Sequence, residues 1–477
     1  MKKFLLAAFL LLLPTAAFAQ CNGIFPNNTV CGNITGSNNT PRPTNPSAFQ
    51  GSAGGTNGQI QYNNNGNLAG TGPLTCPAGQ FLNTAAAPFV CGTPNGVITG
   101  NSTVTGAATT YTSAQGNTVV KRSNSGSAMS DILPGTSPGI LPANTIIYIT
   151  NSDSAGILSI KAGSGASIKT TAAATGYVYI CPGQTISFYS DGSNYFALGV
   201  NSLCVFTANT SIFVATTGSN TNDGLTASTP LLTIQAAWNL LQNNFNTAGF
   251  TSTISVANGT YTGLTNISGL ISGQTFGDTT RNNYTNDTSV FIIGNTTTPS
   301  NVVLTSASTL GTINVTNGAR VGIAGFRLSN TAGGYGFYVV GGAQLSFSLV
   351  DFGGFTSGGI HYAASQGGFI EVYAPYSISG GAGCHFIAGQ GGIVQWLATG
   401  LTPKAITLTG TPAFTSGFAC AQGPGYMSVD IVNTFTGAAT GPRYSASLNS
   451  VINTAGQGAT YFPGNVAGTT STGGIYN

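Results

Sequence analysis

The chain has 477 residues, of which only 4% are charged, 69 are glycine and 41% are hydrophobic. That hydrophobic share is enough for a packed core and argues against a disordered chain. A formal charge of +3 supplies no basic footprint for nucleic acid, and two histidines without any C-x-x-C pair leave no zinc signature, so no cofactor is expected.

Lys2 and Lys3 precede an apolar run from Phe4 to Leu13, followed by Pro14 and Ala17-Phe18-Ala19. This order predicts a secretory signal peptide over residues 1–19, cut before Gln20, with a run too short to span a membrane. Cys21 raises lipidation as an alternative, but Gln20 stands where a small residue would be needed. The expected product is exported, periplasmic or extracellular, with no membrane span. Export permits disulfides among the eight cysteines. Local spacing favours Cys21 with Cys31, Cys76 with Cys91, and Cys181 with Cys204. Cys384 and Cys420 match less well, because the repeat alignment below sets Cys420 opposite Ile387.

Residues 20–96 are dense in Gly, Asn, Pro and Ser and read as an extended arm or linker. Its segments CNGIFPNNTVCGNITGSNNTPRPTNPSAF and GGTNGQIQYNNNGNLAGTG resemble the N-terminal regions of prophage-associated tail-fibre-like proteins. Between residues 97 and 200 short strands alternate with turn residues, beginning at Thr118, Thr145, Gly156, Gly176 and Thr185. This spacing predicts a small antiparallel β-domain, sandwich-like or barrel-like. Asp191-Gly192 is a turn signal within it. VVKRSNSGSAMSDILP and FYSDGSNYFALG are similar to a small β-domain of phage tail-fibre and tailspike-like proteins.

In residues 211–245 a strand leads into the turn Asn222-Asp223-Gly224, and then Ile234, Trp238, Leu241 and Phe245 fall at helical spacing. A short helix is expected over 233–245. The stretch GSNTNDGL…STPLLTIQAAW resembles the opening of secreted right-handed parallel β-helix proteins, pectate-lyase-like and phage-borne members among them. The resemblance implies that this helix caps the open end of a solenoid.

Further on, one short pattern returns five times, starting at Gly318, Gly342, Gly367, Gly391 and, more loosely, Pro424, with spacings of 24, 25, 24 and 33 residues. Such a period means stacked supersecondary units, and their Val, Ile, Phe and Thr content makes the unit a turn of short strands. Within each unit an apolar residue recurs two positions on: Val321 and Ile323, Leu345 and Phe347, Ile370 and Val372, Val394 and Trp396, Met427 and Val429. A period of two puts each pair on one face, so stacking should lay them into interior columns. The fold class is therefore all-β: a right-handed parallel β-helix over residues 205–448, with a polar tail from 449 to 477. That tail resembles the C-termini of the same prophage-like group.

Candidate chemistry is sparse. At equal offsets in neighbouring repeats, Arg327 stacks with Asp351 as a surface ion pair, and His361 stacks with His385 beside Tyr362 and Phe386. The histidine pair suits a metal or sugar ligand, or a tolerated polar ladder. Glu371 is expected to face solvent between Ser346 and Gln395. Tyr373, Tyr376 and Tyr426 offer rings on which sugars stack. Asp278, Asp287, Asp351, Glu371 and Asp430 form no close carboxylate pair in the alignment, so the two-carboxylate arrangement of glycoside hydrolysis is not recognisable. Nor are the acidic calcium cluster of pectate lyases and the Asp-rich pattern of polygalacturonases.

The expected function is that of an exported surface or phage-tail-like protein binding carbohydrate or a cell-surface polymer without efficient catalysis. His361, His385, Asp351, Glu371 and Tyr376 are the candidate ligand-binding residues. A polysaccharide lyase or glycoside hydrolase, and a purely structural adhesin or coat component, are the alternatives. A homotrimer could assemble a site from several chains.

Overall fold

The computed structural model describes Ile98 and residues 100–137, 139–170, 173–200, 203–275, 288–356, 358–373, 375–397, 405–429 and 433–477, together with the backbone of six short strands between Val30 and Gly92. The chain divides into two compact units, Met1–Pro94 and Asn95–Asn477. In the first, the described strands form three antiparallel pairs. The leader, and the side chains of Cys21, Cys31, Cys76 and Cys91, lie outside the described residues.

The second unit is all-β with a single α-helix among the described residues. Its first part forms a four-stranded and a seven-stranded sheet over one core that includes Val120, Ile147, Ile160, Phe188 and Tyr195. The expected strands are present, but the sheets are mixed rather than antiparallel. Met129–Leu133 pairs parallel with Leu158–Ala162, and Thr118–Ser123 pairs parallel with Thr145–Asn151, whereas Thr145–Asn151 and Thr185–Ser190 pair antiparallel. Adjacent strands of like direction need long returns. Here those returns cross from one sheet to the other, which the spacing of turn residues does not encode. Asp191 makes the expected turn: its Oδ1 accepts from the Ser193 and Asn194 amides at 2.8 and 2.6 Å.

Beyond Thr210 all the described strands except Phe245–Asn246, which pairs with Cys204–Val205, fall into three long parallel sheets of ten, seven and eight strands, here the first, second and third. Successive strands visit the sheets in rotation. Arg320–Ala324 lies in the first, Arg327–Asn330 in the second, Tyr335–Val339 in the third, and Gln344–Ser348 is back in the first beside Arg320–Ala324. The corner into the first sheet is a repeated pair of left-handed residues: Asn317-Gly318, Gly341-Gly342, Gln366-Gly367 and Gln390-Gly391, with φ of 50–76°. Glycine suits that conformation because it has no Cβ to clash. After the last of these pairs, a side chain on Gly392 would run into the Ala364 carbonyl of the preceding turn.

The predicted columns are present. Val321, Leu345, Ile370, Val394 and Met427 are in register along the first sheet and buried, as are Ile323, Phe347, Val372, Trp396 and Val429. Large rings continue the core across the other sheets, with Phe347 packed edge-on to Phe352 at 5.6 Å and to Tyr362 at 5.1 Å. The stacking does not stop at residue 448. Val451–Asn453 and Ile475–Tyr476 extend the first sheet, Thr469–Thr470 extends the third, and Phe462 is fully buried. The expected polar tail is thus part of the fold, held by one buried ring and three short pairings.

Helix α1, Ile234–Asn244, starts at Thr233, whose hydroxyl accepts from the Ala236 amide at 3.2 Å. Ile234, Trp238, Leu241 and the following Phe245 are buried as their spacing predicts, and Trp238 Nε1 donates to the Ser268 carbonyl at 3.3 Å. The mixed-sheet region and the parallel sheets share packing. Asp223 is buried at their junction, accepting from Ser159 Oγ and Thr229 Oγ1 at 2.6 Å each, and its carbonyl accepts from Tyr179 Oη at 3.1 Å. The Cys181–Cys204 disulfide crosses the same junction, with Cα atoms 5.3 Å apart.

Candidate functional site

The five candidate residues do not form one site. Three meet in the core and two lie on different sheets. His361 and His385 occupy neighbouring strands of the third sheet, opposite one another as the repeat offset predicts, with Nδ1 atoms 2.8 Å apart. Tyr376 Oη lies 2.9 Å from His385 Nε2. All three are buried, with both histidines fully inaccessible, so the expectation of a histidine ligand pair or a tyrosine platform reachable by a polymer is overturned.

Strand curvature explains this. Cys420 pairs with Ile387, yet the Cα atoms of Cys384 and Cys420 are only 6.2 Å apart and the two form a disulfide. The strand must therefore turn between Cys384 and Ile387. The same turn lets His385 and Phe386, neighbours in sequence, both face the interior. A straight strand would send alternate residues outward.

The buried network continues beyond the histidines. Trp396 Nε1–H donates to Tyr362 Oη at 3.2 Å, and the Tyr362 and Tyr376 hydroxyls share a hydrogen bond. Indole can only donate, so Tyr362 Oη accepts from Trp396. His361 Nε2 has no hydrogen-bond partner. Burial pushes His361 down to about 3, against the opposing pull of the Gly381 and Gly353 carbonyls. Burial and the neighbouring His361 hold His385 well below the usual histidine value. Both rings are neutral at ordinary pH, and burial raises the Tyr362 and Tyr376 hydroxyls above theirs.

Glu371 stands between Ser346 and Gln395 in the first sheet, as aligned, but it is buried, which corrects its reading as a solvated carboxylate. Tyr373 is buried too, and Tyr426 is partly exposed. Asp351 is in register with Arg327 in the second sheet, but its carboxylate is buried while Arg327 is 39% exposed, which corrects the reading of a surface ion pair. Its Oδ1 accepts from Ser377 Oγ at 3.1 Å and its Oδ2 from Ser379 Oγ at 2.8 Å, with Arg327 Nε 3.6 Å away. Among the described residues no group of three His, Cys, Asp or Glu side chains could hold a metal ion, and no helix is long and apolar enough to cross a membrane.

The second sheet carries a mostly polar column. Thr260, Val303, Arg327, Asp351, Ser377, Thr407 and Thr436 follow one another in register along seven strands. Strand spacing gives that column a length of about 29 Å. Thr262, Thr305 and Ser329 form a second, shorter row beside it. At the first strand of this face opens a groove of about 320 Å³, bounded by Thr260, Tyr261 and Thr262 on one side and by Leu232 and Gln235 of the α1 end on the other. Repeat counting from Gly318 onward misses this groove, because it precedes the regular repeats. The available signal is Gly259-Thr260-Tyr261-Thr262, whose alternation marks a strand with hydroxyls outward. The chain matches no known protein-family model, no curated protein and no solved structure.

Proposed function

We propose that the three parallel sheets are the walls of a right-handed parallel β-helix, preceded by a sandwich-like domain, in an exported surface or phage-tail-like protein. Its outer face binds an extended carbohydrate or surface polymer without cleaving it efficiently. The observation that carries this reading is the hydroxyl-rich column of the second sheet, running from Thr260 to Thr436. The four hydroxyls of that column, Thr260, Ser377, Thr407 and Thr436, both donate and accept, which suits a polymer whose own hydroxyls repeat. Many weak contacts along one rigid face then add up without a deep pocket. Export rests on the basic and apolar leader pattern, and the fold reading on the rotation of strands through three sheets.

Binding is favoured over cleavage because the ionisable candidates are committed elsewhere. The histidines are buried and neutral, Glu371 is buried in another sheet, and Asp351 is held by two serines beside Arg327. Acid–base cleavage needs positioned groups that reach the reacting bond. Asp351 nevertheless lies on the proposed binding face, so a lyase or hydrolase is the second reading. Incubating the protein with bacterial and plant polysaccharides, then measuring binding and polymer length, separates the two. Retention of a polymer at unchanged length is expected. Shortened product, lost in Asp351→Asn, would establish the enzymatic reading instead.

A further inference from the structure

We infer that the groove beside the start of α1 seats one neutral pyranose ring of the bound polymer. This names a ligand class for the carbohydrate-binding face and rests on that reading. The groove has an aliphatic floor and a hydroxyl rim. Ile234 and Leu304 are buried beneath it, while Leu232 is 40% exposed at its edge. Thr216, Thr260, Thr262 and Thr265 line it, and their hydroxyls have no partner among the described residues.

The walls are fixed before any ligand arrives. Gln235 Oε1 accepts from the Asn266 amide at 2.7 Å and its Nε2 donates to Asn239 Oδ1 at 3.0 Å, tying α1 to the strand beyond the groove. Tyr261 Oη donates to the Ala257 carbonyl at 2.8 Å, which holds its ring in place. Burial pushes that hydroxyl up to about 12, so it stays protonated.

The chemistry selects the ligand. No Lys, Arg, Asp or Glu lines the groove, so an anionic sugar would lose water without meeting a counter-charge. The α1 N-terminus is no substitute, since Thr233 already caps it. A wholly apolar ligand would cover four hydroxyls and leave them unmatched. A neutral pyranose has a C–H face for the leucine floor and hydroxyls for the threonine rim. About 320 Å³ lies at the small end of ligand sites, which span about 300–1,000 Å³, and so suits a ring rather than a long segment.

The test is affinity electrophoresis of the full chain through gels containing galactomannan, β-glucan, polygalacturonate or alginate. Wild-type protein should be retarded by a neutral polymer more than by either polyuronate, equally with and without EDTA. Thr262→Trp, which fills the groove, should weaken that retardation by about tenfold, a loss of about 1.4 kcal/mol. Leu232→Asp gives an independent variant should Thr262→Trp melt early. Unchanged binding in both folded variants, with loss in Thr407→Trp, would overturn the groove while leaving the polymer-binding face. Preference for a polyuronate would overturn the ligand class. No retardation by any of the four would overturn the groove together with the reading on which it rests.

Discussion

The two regions of the Asn95–Asn477 unit each bury a polar cluster, and the clusters differ in kind. In the mixed-sheet region Arg122 and Asp131 are fully buried and joined twice, at 2.6 and 2.8 Å. Tyr111 Oη donates to the same carboxylate at 2.6 Å, and the spare guanidinium protons reach the Val104 and Gly106 carbonyls at 2.6 and 3.0 Å. Burial works against the Arg122 charge, yet Asp131 outweighs it and holds the guanidinium above its ordinary value. In the parallel sheets the histidine–tyrosine chain is neutral and ends on an unmatched Nε2. One region has kept its charge by pairing four of the five Arg122 N–H donors. The other has discarded charge, and tolerates one orphan among large rings. The first should fail when a partner is removed, the second when a proton is added.

Removing one partner gives the largest effect. Asp131→Ala should cost about 3–5 kcal/mol in denaturant unfolding, because it leaves the Arg122 charge buried and alone. Replacing both partners with Met and Leu should recover most of that loss, and a pair variant as unstable as the single one would break the comparison. Trp396→Ala should cost a similar 3–5 kcal/mol or so, since it empties the interior column and removes the first donor of the neutral chain. Thermal melts showing a surface-like effect there would remove Trp396 from the core.

Acid supplies the next effect. Both histidines have folded values below the unfolded one, so the unfolded chain binds more protons and stability falls as pH drops below about 6.5. For His361 the loss continues down to about 3. His361 should contribute a loss of about 1.5–2 kcal/mol between pH 6.5 and 5, and His385 a further loss of the same sign. Unfolding curves at the two pH values, for wild type and His361→Phe/His385→Phe, should show that the double variant lacks this component. An unchanged pH dependence would mean that the rings already carry a proton in the fold. At the small end, Thr407→Ala on the exposed face should shift stability by less than about 0.5 kcal/mol. A larger loss, measured by the same unfolding curves, would place that hydroxyl inside the structure.

What could be read from the chain depended on whether the signal was local and repeated. The column from Val321 to Met427 and the pairing of Arg327 with Asp351 follow from offsets alone, because a period of two and a fixed repeat leave no other register. Thr233 and the apolar face after it announce α1 in the same way. The inward turn of His385 was not legible, since it depends on a corner between Cys384 and Ile387 that no residue type marks. Burial of Glu371 was missed for a related reason: parity says which face a side chain takes, not what covers it. Asp223 looked like an ordinary turn residue, and its role at the junction appears only once Ser159 and Tyr179 arrive from far along the chain.

The most direct measurement for the proposed polymer-binding face is affinity as a function of ligand length. Isothermal titration with a series from monosaccharide to long oligomer, on whichever polymer the protein retains, should show binding that strengthens until the ligand spans the column of about 29 Å and then levels off. Thr407→Trp, on the sixth of that column's seven strands, should shorten the length at which it levels. Affinity already complete with a single sugar, or indifferent to a bulky residue at Thr407, would contradict an extended binding face on the second sheet.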